Sequence, residues 1–188
     1  MSRAELKTTA KTGLKGNWGV AILALIVSGL ILCAASMVFG IGQLIITGPV
    51  TVGLCIVFSS IARGEKTEFA SLFDGFKNFV NTFLTGLLHT LFIALWSLLF
   101  YIPGIVKSYS YAMTFFIQKD HPEMSGTEAI TASREMMQGH KWELFVLDLS
   151  FIGWYCLVGL TFGILSLYVV PYHHATRAAY YEKLKAAQ

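Results

Sequence analysis

Long apolar runs separated by short charged stretches set the pattern of the chain. The first run, residues 18–39, has 22 residues and no charge. At 1.5 Å rise per residue a helix of that length reaches about 33 Å, enough to cross a hydrocarbon core of about 30 Å. Gly40-Ile41-Gly42-Gln43 supplies a turn, residues 44–62 return, and Arg63-Gly64-Glu65-Lys66 closes the pair. Two further pairs follow: 81–96 with 98–118, turning near Ser97, and 142–160 with 164–181, turning at Thr161-Phe162-Gly163. The pattern predicts an all-α fold, a polytopic membrane bundle of six transmembrane helices arranged as three hairpins.

Each pair is preceded by an amphipathic segment. Ser2 with Glu5 three residues later forms a capping-box signature, and Arg3, Lys7, Lys11 and Lys15 recur every four residues as one stripe. Like charges at that spacing repel weakly in water. Anionic lipid headgroups turn the cost into attraction, about 1 kcal/mol per basic residue, so an interfacial helix is expected, with a solvated helix flanking the first span as the alternative. In residues 67–80, Phe69, Leu72, Phe73, Phe76, Phe79 and Val80 share one helical face, again as expected of an interfacial helix. Ser125 with Glu128 opens a third such helix, running to about Gln138.

The order of capped segment, span, tight turn, proline-bearing span and charged end thus occurs three times, over residues 1–64, 65–121 and 122–188 of a single membrane domain. Pro49, Pro103 and Pro171 mark the return spans, and Gly16 and Gly139 each stand 14 residues after a capping serine. All copies have the same orientation, so they are parallel repeats. Of the 14 basic residues, all but Lys107 lie in the N-terminal segment, the two long connectors or the C-terminal end. The positive-inside rule then predicts a cell-membrane protein with both termini in the cytoplasm.

Composition narrows the classes. The chain is 55% hydrophobic and 13% charged, with mean hydropathy +0.61, where soluble domains carry about 25% charged residues. A net charge of +3 without basic–aromatic clusters argues against nucleic acid. Cys33, Cys55 and Cys156 lie in apolar runs and form no CxxC, so plain packing is expected of them. The first run exceeds the 7–15 residues of a signal-peptide core, so it reads as an uncleaved span. No HExxH, GxSxG, phosphate-binding loop or dinucleotide fingerprint occurs. No enzyme activity, cofactor or metal is therefore expected.

Trp96-Ser97-Leu98-Leu99 leading into Ile102-Pro103-Gly104-Ile105-Val106-Lys107-Ser108-Tyr109-Ser110-Tyr111, then Gly139-His140-Lys141-Trp142-Glu143-Leu144-Phe145, Leu149-Ser150-Phe151-Ile152-Gly153-Trp154 and Pro171-Tyr172 resemble the uncharacterised bacterial integral membrane proteins grouped as domain-of-unknown-function family 975. The resemblance covers essentially the whole chain. It implies a polytopic membrane protein of Gram-positive-type bacteria and carries no activity.

Ionisable residues inside a span are functional candidates. Asp148 lies six residues past Trp142 and Arg177 six before Lys183, so both stand roughly 9 Å from the cytoplasmic end on adjacent spans. They are expected to pair, with His173 one turn from Arg177. His89 and Lys107 each lie twelve residues from a connector lysine, roughly 18 Å deep. One reading makes a polar cavity of Lys107, Tyr109, Tyr111, His89 and His173, with Tyr172. The other makes Asp148–Arg177 a structural ion pair, Lys107 a snorkelling lysine, and His89 and His174 packed histidines. The expected role is a non-catalytic scaffold, partner or regulator in the membrane, contacting anionic lipid, other membrane proteins or its own copies. The alternative is a small-solute transporter or ligand-binding channel with its cavity around Lys107. An enzyme acting on lipid headgroups comes last.

Overall fold

A computed structural model describes residues 3–37, 41–99 and 101–187. All regular structure among them is helical: α1 (Arg3–Leu14), α2 (Trp18–Ser36), α3 (Ile41–Ala62), a 3₁₀ segment (Phe69–Phe76), α4 (Phe79–Leu99), α5 (Tyr101–Ser110), α6 (Thr114–Asp120), α7 (Gly126–Met136), α8 (Lys141–Leu149), α9 (Ile152–Leu160) and α10 (Ser166–Lys185). The all-α class follows from runs too long and too apolar for strands. The Ser2 cap and the turn at residues 38–40 fall outside the described residues.

Four helical stretches are long and apolar enough to cross a membrane: Trp18–Ser36, Gly42–Ala62, Phe79–Leu98 and Lys141–Leu160. The other two expected spans take a different form. Residues 98–118 are broken at Tyr111–Met113 into α5 and α6. The break has a specific cause. Ser133 on α7 accepts from the Met113 amide at 3.2 Å and donates to the Ser110 carbonyl at 3.0 Å, and a side chain inserted in this way interrupts the helical ladder. Pro103 occupies the first turn of α5, where it removes no helical bond. α10 is a single helix of 20 residues, but its two histidines and the charges in its second half lower its hydropathy. The fifth run is likewise jointed, at Ser150–Phe151.

α3 is the central pillar. It packs against α2, the 3₁₀ segment, α4, α6 and α10. Small residues permit the approach. A Cβ on Gly48 would stand 2.0 Å from the Thr82 carbonyl oxygen, and one on Gly86 would stand 2.6 Å from the Gly48 Cα. Close backbone contact of this type is how helices associate where lipid removes the hydrophobic drive.

The amphipathic segments dock on the bundle, so their apolar faces are covered by protein. α1 rests on α3 and α10, with Leu6, Ala10 and Leu14 buried. The Lys7 ammonium sits 4.6 Å from the Phe151 ring centre and donates to the Ser150 carbonyl at 3.5 Å. Burial, then the charges of Arg3 and Lys11, hold Lys7 below its usual range. The basic stripe is thus divided: Lys7 turns toward the protein, while Arg3, Lys11 and Lys15 stay exposed. The 3₁₀ segment seats buried Leu72 and Gly75 against Gly53 and Pro49 of α3. α7 carries the expected capping box, with the Glu128 amide donating to Ser125 Oγ and the Ser125 amide donating to the Glu128 carboxylate.

Candidate functional site: a polar cluster beside an interior cavity

α8, α9 and α10 bring four polar side chains into one chain of contacts. Asp148 ends α8. His173 and Arg177 lie four apart on α10, hence on one face. Arg177 donates to both carboxylate oxygens of Asp148, through Nε at 3.1 Å and through Nη2. His173 Nε2 meets Asp148 Oδ1 at 2.8 Å, and its Nδ1 meets the Tyr155 hydroxyl at 2.8 Å. With the phenol donating to Nδ1, Nε2 carries the proton toward the carboxylate. Phe151 stacks on His173 at 4.6 Å. A bidentate Arg–carboxylate pair braced by an imidazole is the arrangement that a low-dielectric interior demands, because removing one partner would strand a charge.

Beside this cluster lies a cavity of about 480 Å³. Its walls come from α3, α5–α6 and α10, each of which carries a proline, together with α4. α3 contributes Thr51, Leu54, Cys55 and Phe58, spaced at i, i+3, i+4 and i+7, and α4 contributes His89 and Ile93. From α5 and the turn after it come Ile105, Ser108, Tyr109 and Ala112, and from α10 His174 and Arg177. Arg177 therefore belongs to both features, reaching Asp148 on one side and the cavity on the other.

Of the five residues expected around a cavity, His89 and Tyr109 line it, and Lys107, Tyr111 and His173 do not. Helical period explains the first exclusion. Positions 105, 108, 109 and 112 form one stripe, and residue 107 is two positions from 109, about 200° around the helix. The Lys107 ammonium instead sits 4.5 Å from the Trp96 ring centre, a cation–π contact away from the interior. Tyr111 is buried at the α5–α6 break, between His89 and Phe92. His173 faces α8 and α9 rather than the cavity. His89 packs on Phe115 at 4.7 Å. Among the described residues no group of three or more His, Cys, Asp and Glu side chains has the geometry to hold a metal ion.

A second polar assembly, not anticipated from the sequence, joins the C-terminal ends of α3, α6 and α10. Asp120 at the end of α6 accepts from the Tyr181 hydroxyl at 2.7 Å, from Lys185 at 2.7 Å and from Lys119 at 2.9 Å. Glu182 pairs with Arg63 at 3.0 Å and Lys119 at 3.7 Å. Burial pushes the Asp120 carboxyl up, but the hydrogen bonds from Lys185, Lys119 and Tyr181 outweigh it and bring it down to about 2. Phe116, which lines the cavity, stacks on Tyr181 at 5.0 Å, so the network lies just behind the cavity wall. The available signal was the charge at the end of each return, at Arg63, at Lys119 and Asp120, and at Glu182 and Lys185. What the chain order could not give was their convergence.

No curated protein and no solved structure matches the chain. The family model described as a protein of unknown function, DUF975, matches residues 1–110 and again 99–188, which together span the chain, and the protein belongs to that family.

Proposed function

We propose that the protein is a non-catalytic membrane protein of three repeated helical hairpins whose interior cavity binds a small ligand. The observation that carries this reading is the cavity itself, largely apolar with a few convergent polar groups, in the size range of small-molecule sites. It favours the ligand-binding alternative over a pure scaffold and moves its centre from Lys107 to Tyr109, His174 and Arg177.

Three structural regularities support the hairpin arrangement. Gly16 (φ +98°) and Gly139 (φ +79°) end α1 and α7 in the left-handed conformation just before Trp18 and Trp142, at matching repeat positions. The first helices of the three units carry little buried surface: 22% of the crossing window in α2 and 17% in both α4 and the α8–α9 pair, against 56% in α3. α10 buries ten of its residues, Val169, Tyr172 and Tyr181 among them. A return segment enclosed by its neighbours can carry charge across a bilayer, because its polar groups face protein rather than lipid. On this reading α5–α6 and α10 complete six crossings of the cell membrane with both termini cytoplasmic. The exposed Arg3, Lys11 and Lys15 then lie at the anionic headgroups.

The test is retention of a bound molecule. The full chain is purified in mild detergent and its intact mass recorded by native mass spectrometry, beside Ala112→Trp, which fills the cavity from the turn after α5. The wild type is expected to carry an adduct that the variant lacks at an unchanged melting temperature. Identical spectra from both would remove the binding reading and restore the scaffold.

A further inference from the structure

We infer that the cavity selects a single-chain acidic amphiphile, an apolar body bearing a carboxylate or phosphate-type head. This rests on the cavity being a binding site and goes further, to the chemistry it accepts.

The polar groups that line the cavity are hydrogen-bond donors or imidazoles, and no carboxylate is among them. Arg177 has five N–H groups, of which Nε and one on Nη2 are taken by Asp148. Among the described residues Nη1 has no acceptor. His174, three residues earlier on the same helix, stacks on Phe58 at 5.2 Å, and its ring nitrogens make no hydrogen bond among the described residues. Tyr109 also lines the wall, with its hydroxyl already engaged by Asp148. The site therefore offers unspent donors around one guanidinium, the arrangement that recognises a carboxylate or phosphate head. Asp148, held on the far side of Arg177, keeps the cationic group in place with no ligand bound.

The rest of the wall is hydrocarbon and aromatic, from Leu54, Phe58, Ile93, Phe115 and Phe116. An ion with no tail would leave that surface empty. At about 480 Å³ the space suits one chain rather than an intact two-chain lipid. Ile105 lines the cavity and is also exposed on the outer surface. The rim therefore meets the layer from which an amphiphile partitions. Entry from the bilayer also spares the ligand a route through the ion-paired ends of the returns.

The experiment is a binding titration of the full chain in phosphatidylcholine nanodiscs. The probes are a fluorescent long-chain carboxylic acid, its methyl ester, and the alkyl phosphate of the same chain. An acid head is expected to bind at least about tenfold tighter than the ester. His174→Phe is expected to bring the acid's affinity down to the ester's without changing the ester, with His89→Phe as the second variant should the first lose its fold. Whichever of carboxylate and phosphate binds tighter identifies the source of the head. Equal binding of acid and ester, both lost in Ala112→Trp, would overturn the acidic ligand and leave the binding site standing. No difference between wild type and Ala112→Trp for any probe would overturn both.

Discussion

At the scale of single residues, burial and helical face decide what each polar group does. Asp148 and Arg177 were legible as partners because both sit at the same depth on antiparallel helices, and depth is simple arithmetic on helix rise. Depth left two readings open for Lys107, a cavity lysine or a snorkelling one, because depth alone carries no direction. Its stripe neighbours at 105, 108 and 109 reach the cavity, while its own ammonium rests on Trp96. Asp120 gives a measurable consequence. Its carboxyl falls from an ordinary 3.8 to about 2 in the folded chain. A depressed carboxyl stabilises the fold above its unfolded value and loses that contribution as pH drops through the folded one. The contribution is thus complete above about pH 4 and vanishes toward pH 2, with a size of about 2 kcal/mol. Thermal melts in detergent from pH 6 to pH 3 are expected to show declining stability, and Asp120→Asn should remove part of that slope. A variant with the wild-type slope would mean that the network is not formed.

At the scale of elements, sequence periodicity located the helices and the capping box of α7, and neighbouring chain decided where they stop. Residues 98–118 contain no internal break signal beyond Pro103, yet the helix parts at Tyr111–Met113 because Ser133, twenty residues further on, takes over its backbone bonds. The amphipathic segments follow the same logic. Their apolar faces were read correctly, but protein, not lipid alone, covers them, since α1 lies on α10 and the 3₁₀ segment on α3. The α3–α4 seam supplies a prediction. In Gly86→Ala the new methyl would stand 2.6 Å from the Gly48 Cα, a backbone atom that cannot swing away. The helices must separate, at a cost of about 1–3 kcal/mol. Gly29→Ala on α2 meets nothing within 4 Å and should be neutral or mildly stabilising. Equal melting temperatures for the two variants would show that the seam is looser than the backbone distances state.

At the scale of the whole molecule, α3, α4, α5–α6 and α10 line the cavity, and the ends of α3, α6 and α10 gather their charges into one network. The tips opposite that network are apolar and open, with Leu98 86% and Phe162 98% exposed. The proposed topology of six crossings would place these tips on the outer side. In a chain with its three native cysteines replaced, Phe162→Cys should react with a membrane-impermeant thiol reagent applied from outside. Thr127→Cys, in the second connector, should react only after permeabilisation. Protection of position 162 from both sides would instead make the hairpins re-entrant.

By itself the sequence determined the all-helical class, the apolar helices long enough to cross a membrane, their approximate bounds and the Asp148–Arg177 pairing. These depend on local periodicity and on the bilayer's exclusion of charge, which act on short stretches of chain. Only the tertiary structure decided the break after α5, the inward turn of Lys7, the displacement of Lys107 from the cavity and the convergence of Arg63, Asp120 and Glu182. Each of these turns on contacts between residues far apart in the chain, where the direction of a side chain is set by the neighbour that packs against it rather than by its position in a run.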